Sequence, residues 1–397
     1  MTSPIANQSP SRDILPDLVR AFAVFGIVVV NVAYFAWPGE VTYHDGGLAG
    51  PADYAAYFTV DALFLFKSYT LFSVMFGAGL AYQMASATRR GVVFGAEYGR
   101  RLLGLFILGV LHVTLAFTGD ILMVYAVFGA LLFLFRNKSV KALKRWAIAF
   151  ICLQVIFVGF LAASLLAFES FAPQEFETIN AEISKGLPRY YDGFDSGNFV
   201  EIAGLRWDSW TGYIIFAGMT QFPGVLGFFL AGLAAVKSGV LSDPGAVIWT
   251  KSRRLYLPVG LVLSCVGAWI SVNSDGFGGM TLLGMAIIIL SAPFTSLGYI
   301  GALAAWAERP ATAFRNAVAR AGSATLSIYL MQSLILSFVF SGYGLGLYGQ
   351  IGAAGCLLIA VAVGIFTIAA MSMWRTKFAR GPFESALRAL TYMGRKS

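Results

Sequence analysis

The chain has 397 residues, 58% hydrophobic and 12% charged, with a mean hydropathy of +0.74, whereas a soluble domain carries about 25% charged residues. That balance excludes an ordinary soluble enzyme. The formal charge of +8 does not indicate nucleic acid, because the basic residues recur in short clusters between apolar runs and read as topology signals.

The predicted class is all-α: a polytopic membrane protein, a single bundle of about ten transmembrane helices occupying 1–397. The short alternating segments of a membrane barrel are absent. Met1 to Pro16 is polar and lacks the apolar core of a cleaved signal peptide, so the first helix is expected to direct insertion. The apolar runs predict helices over 18–36, 57–85, 102–118, 119–136, 146–168, 209–237, 255–272, 279–305, 323–341 and 350–373. With the amino terminus inside, only Lys185, Arg189 and Arg206 fall on outer segments and Lys67 within the membrane. Every other lysine and arginine, from Arg12 to Arg395 and Lys396, falls inside, which predicts that both termini are cytoplasmic. Two outer loops are long. The first, 37–56, carries Glu40, His44 and Asp45; the second, 169–208, is acidic and aromatic and suits a lid or sugar-facing cap, or equally a solvated connector. The tail 375–397 spaces Phe383, Leu387, Leu390 and Met393 on one helical face and is expected to lie along the inner leaflet. Cys152, Cys265 and Cys356 sit in apolar runs without a metal-binding or disulfide spacing, so buried packing is their expected role and no metal site is predicted.

Ionisable side chains at membrane depth cost roughly 3 kcal/mol each on insertion scales, so they mark candidate sites. Arg20 and Asn31 lie about 16 Å apart along the first helix. Arg20 is placed to pair with Asp17 or to snorkel, and Asn31 to bridge helices. Lys67 enters about 15 Å deep and needs a carboxylate, a water-filled cavity or a ligand anion. The Gly77-Ala78-Gly79 run permits close helix contact or close approach to a ligand. His112 is suited to general base chemistry, or to a hydrogen bond between helices. A tight hairpin at Thr118 and Gly119 would set Tyr125, not Asp120, level with His112, leaving Asp120 near the mouth to contact an acceptor or cap its own helix. His44, in an exposed loop, has nothing evident to exclude water. Thr325, Tyr329, Gln332 and Ser333 share a broad helical face that could line the same cavity. Arg89, Arg90, Arg100 and Arg101 flank one inner loop, as the positive-inside rule alone would arrange or as a polyanionic donor would need.

The residues Asp17-Leu18-Val19-Arg20 with Gly26 and Asn31, Phe66-Lys67 through Gly79, His112 through Gly119-Asp120-Ile121-Leu122 to Tyr125, Ser327 through Ser333, and Arg380-Gly381-Pro382-Phe383-Glu384 span nearly the whole chain. Together they resemble the YeiB-like bacterial inner-membrane family, a domain of unknown function. That family looks like a branch of the membrane-bound acyltransferase-three superfamily, which includes heparan-alpha-glucosaminide N-acetyltransferase. The resemblance implies a ten-helix core passing an acyl group from cytoplasmic acyl-CoA, most simply acetyl-CoA, to a hydroxyl or amine of an outer acceptor, often a carbohydrate. Many members of the superfamily carry an arginine and a histidine separated by ten residues in the first helix. Here the matching pair is Arg20 and Asn31, so the usual histidine is missing and His112 is the candidate to replace it.

The leading expectation is therefore an acyl-CoA-dependent membrane acyltransferase. His112 would act as base, Asn31 and Lys67 would polarise the acyl carbonyl, and Asp120 would orient the acceptor. Arg20, Arg89, Arg90, Arg100 and Arg101 would hold the donor, with Asp61, Tyr125, Tyr329, Gln332 and His44 lining the cavity. The alternative is a transporter or flippase of a small anionic or lipid-linked metabolite, and a third class is a membrane protein whose polar residues only bind helices together. The expected partners are the lipid bilayer, the small-molecule or carbohydrate acceptor, and a second copy if the chain forms a homodimer, with no nucleic acid.

Overall fold

The computed structural model describes residues 13–39, 42–44, 46–274, 276 and 278–393. Arg12, Glu40, Asp45, Arg395 and Lys396, named above, lie outside the described residues. Sixteen helices follow in order: α1 Ile14–Ala36, α2 Pro51–Leu63, α3 Lys67–Arg89, α4 Phe94–Leu115, α5 Leu122–Leu134, α6 Val140–Phe171, α7 Pro173–Asp195, α8 Phe199–Thr220, α9 Phe222–Lys237, α10 Val247–Lys251, α11 Leu257–Val272, α12 Gly279–Glu308, α13 Ala313–Gly322, α14 Thr325–Phe340, α15 Ala353–Lys377 and α16 Pro382–Thr391.

Every expected apolar segment is helical. Seven continuous or nearly continuous helices are long and apolar enough to cross a membrane, and the pairs α8 with α9 and α13 with α14 qualify as bent spans, broken by 64° and 82°. The tenth segment, α5, has 13 residues. At 1.5 Å per residue that is about 20 Å, short of a hydrocarbon core of about 30 Å. The shortfall is made up by 116–121, a non-helical stretch in which Ala116, Phe117 and Asp120 are buried. Irregular backbone survives at such depth only where protein covers it or it lines a cavity. The expected tight hairpin at Thr118 and Gly119 is thus a longer buried loop.

Several other expectations are corrected in detail. The helix expected over 57–85 is interrupted at Phe66, whose φ of 61° is left-handed. The break strips the last carbonyls of α2 of helical partners, and side chains from neighbouring elements supply them. Lys67 Nζ donates to Asp61 O (2.7 Å), Ser264 Oγ to Ala62 O (2.8 Å) and Tyr299 Oη to Leu63 O (2.9 Å). The second break is treated in the same way, with Gln154 Nε2 donating to Thr220 O at the end of α8 (2.7 Å). At the third break the exposed groups are amides, and Glu384 Oε1 accepts from Leu326 N (2.8 Å) and Ser327 N (3.2 Å) at the start of α14.

That last contact explains a difference at the tail. α16 packs on α4 and α14, with Leu387 buried against Gly104. Leu387 and Leu390 of the apolar face expected along the lipid therefore meet protein, while Met393 stays exposed. The outer loop 169–208 is largely helical, comprising α7 and the first half of α8, and it is clamped by Arg206. This buried guanidinium donates to Ser337 Oγ (2.6 Å), Tyr343 Oη (2.9 Å), Ser341 Oγ (3.2 Å) and Thr114 O (3.4 Å). Gly77 serves close helix packing, since a side chain there would strike the α9 backbone at Phe229. Cys356 is buried as expected, but Cys152 is exposed on α6.

Candidate functional site

Three cavities lie within the bundle, and neighbouring ones share wall residues. The loop-end cavity, of about 220 Å³, is lined by Asn31, Tyr34, His44, Tyr57, Asp61 and Tyr329 among others. At the end that holds Arg20 and α16, a second cavity of about 330 Å³ is lined by Arg20, Phe76, Arg101, Tyr125, Tyr329 and Glu384. A third, of about 440 Å³, continues from it past Arg101 and Glu384 to Arg90, Arg375, Arg380 and Arg388. Tyr329 forms part of the wall of both the first and the second.

Behind Tyr329 stands the pair expected not to meet. His112 Nδ1 lies 2.8 Å from Asp120 Oδ2, and both side chains are buried. The correction has a local cause. α4 ends at Leu115, and the buried loop that follows turns Asp120 back toward the helix it has left, where a side chain at Gly109 would collide with it and with Met123. The other oxygen, Asp120 Oδ1, accepts from Met123 N (2.9 Å), so the carboxylate also caps α5. With Nδ1 occupied, the remaining ring nitrogen decides what the pair can do. His112 Nε2 is buried and has no hydrogen-bond partner among the described residues, and neither has Tyr329 Oη. The two rings lie 4.9 Å apart between centroids. A histidine oriented by a carboxylate, with its second nitrogen unused next to a cavity wall, has the arrangement of a general base.

The comparisons with known proteins bear on the whole chain. A family described as protein of unknown function (DUF418) matches residues 235–394. The uncharacterized protein YxaH of Bacillus subtilis (strain 168) is 29% identical over 390 residues, covering 95% of this chain and 93% of the relative. The uncharacterized protein YeiB of Escherichia coli (strain K12) is 28% identical over 396 residues, covering 96% of each. Over nearly its whole length the chain is thus similar to YxaH and YeiB. A third relative, an uncharacterized 39.9 kDa protein in the amylase 3'region of Bacillus acidopullulyticus, is 25% identical over 381 residues, covering 95% of this chain and 92% of the relative. No solved structure matches.

The remaining site candidates divide by position. Asn31, Asp61 and His44 come together in the loop-end cavity, so His44, whose Nε2 lies 3.4 Å from Tyr57 Oη, is less open to solvent than a loop residue was expected to be. Arg20 pairs with Asp17 (2.9 Å) and faces the second cavity, as does Tyr125, whose Oη is 2.7 Å from Ser73 Oγ. Arg101 faces the second and third cavities, while Arg90 faces the third and pairs with Glu97 (2.9 Å). Arg89 and Arg100 line none of the three, and Arg100 donates to Met393 O (3.1 Å). Gln332 also stands apart, donating to Thr367 Oγ1 (3.2 Å). Lys67 is fully buried but lines none of them: its ammonium caps α2 and donates to Ser264 Oγ. Sequence reasoning missed the part played by Arg375, Arg380 and Arg388 at the third cavity. Their signal was the basic tail, which had been assigned to the lipid surface.

Proposed function

We propose that the chain is a membrane acyltransferase of the bacterial inner membrane, taking an acyl group from acyl-CoA at the arginine-rich end and passing it to an acceptor in the loop-end cavity. The observation that carries the reading is His112, held at Nδ1 by Asp120, unused at Nε2, and placed behind the one tyrosine that faces both cavities. In the proposed step the acceptor O–H or N–H gives its proton to His112 Nε2, with Tyr329 Oη between them. The acceptor atom then bonds to the thioester carbonyl, the C–S bond breaks, and CoA departs as the thiol after taking up a proton. Asn31, in the cavity that Tyr329 walls, is the candidate donor to the carbonyl oxygen. Lys67 is withdrawn from that part because its donors serve the α2 break. Arg20 and Arg101, with Arg90, Arg375, Arg380 and Arg388 beyond them, offer the charge a polyanionic donor requires, and the reading sets that end in the cytoplasm.

A second reading is favoured by a different observation. Three interrupted helices surround the cavities, an arrangement used by transporters whose half-helices meet at a central site. Calorimetry of acetyl-CoA with the purified protein separates the two. Acyl transfer expects saturable binding, weakened at least ten-fold by Arg101→Ala and unchanged by His112→Ala. Absence of binding by acetyl-CoA and longer acyl-CoAs to folded protein overturns acyl transfer, and substrate-driven proton flux in proteoliposomes would then identify transport.

A further inference from the structure

The loop-end cavity differs in charge from the other two. No lysine or arginine lines the loop-end cavity, and Asp61 is the single carboxylate there among the described residues. Asp61 is only 2% exposed, and its Oδ2 has no hydrogen-bond partner among the described residues. A buried carboxylate oxygen left unpaired is costly unless something supplies a donor. The nearby Lys67 does not do so. It donates to the main-chain oxygen of Asp61 and to Ser264, and is not part of the cavity wall. The carboxyl group of Asp61 thus faces the cavity, with Lys67 outside its wall. Around it stand the rings of Tyr34, Tyr57, Tyr69 and Tyr213, and aromatic faces attract a cation placed over them.

We propose that this cavity binds a small ligand bearing a protonated amine, its N–H groups donating to Asp61 Oδ2 and its charge resting against the tyrosine rings. At about 220 Å³, the site is sized for a compact amine. An anion would meet Asp61 and find no lysine or arginine, with His44 the one basic nitrogen among the described residues of the wall. The inference holds for an acceptor or for a transported solute, and it is independent of acyl transfer.

The test uses the full chain in nanodiscs without acyl-CoA, read by calorimetry and by thermal unfolding. The probes are ethanolamine and choline, each beside an uncharged counterpart, ethylene glycol and 3,3-dimethylbutanol. The expected result is saturable binding of at least one cation, at least ten-fold tighter than its counterpart, with that preference lost in Asp61→Asn. Ethanolamine, which donates N–H bonds, should lose more than choline, which cannot. Equal binding of charged and uncharged probes, retention of the preference by folded Asp61→Asn, or no heat and no thermal shift with either cation overturns the proposal. If Asp61→Asn does not fold, Tyr57→Leu and Tyr213→Leu take its place. Each is expected to weaken the cation at least three-fold and leave the uncharged probe unchanged, and no change in either overturns the proposal.

Discussion

Lys67 and His112 are both ionisable and both buried, yet the structure uses them in opposite ways. The Lys67 ammonium is consumed by the backbone: it caps the broken end of α2 and binds Ser264. His112 has one nitrogen bound to Asp120 and the other unused, next to the tyrosine shared by two cavities. Depth and charge therefore do not separate a structural ion from a chemical one. Unused hydrogen-bonding capacity beside a cavity does.

The largest expected effect lies on the histidine. His112→Ala should lower acceptor-dependent CoA release by about 10²–10⁴-fold, the usual contribution of a general base, while the thermal midpoint and acetyl-CoA affinity stay close to wild type. Asp120→Asn, which keeps the Met123 cap acceptor but changes the partner of Nδ1, should lower the rate with little effect on folding. Lys67→Met should do the reverse. Stripping Asp61 O of its donor costs about 1–3 kcal/mol, so thermal unfolding should shift down while the rate per folded molecule stays within a few-fold. A well-folded, inactive Lys67→Met would break the comparison. Glu384→Ala, which uncaps α14 below Tyr329, should destabilise by about 0.5–2 kcal/mol and weaken activity moderately, as read from paired unfolding and rate measurements. The smallest effect is expected at Arg89, which lines none of the three cavities: Arg89→Ala should leave acetyl-CoA affinity within two-fold of wild type, against the loss at Arg101.

Much of this arrangement was legible from residue order. Apolar run length marked every helical segment because a spanning helix needs about 20 apolar residues whatever it packs against. His112, Asp120 and Asn31 stood out because polar groups at depth are rare. The pairing of His112 with Asp120 was not legible, because a tight helical hairpin and a buried loop differ only in how six residues, 116–121, turn. The break at Gln221 had a local sign in Pro223, but those at Phe66 and between α13 and α14 were not legible, and the groups that satisfy the freed backbone, Lys67 with Tyr299, Gln154 and Glu384, come largely from elements distant in the chain.

The sequence by itself thus determined the class, the number of apolar helical segments and the short set of polar residues worth testing, because the bilayer imposes its demands segment by segment. Only the tertiary structure decided which of those residues are used up and which are left with free valence. A hydrogen bond depends on positions brought together across the fold: Ser264 and Tyr299 complete the α2 break beside Lys67, and Tyr329 brings the His112 pair to the wall between two cavities.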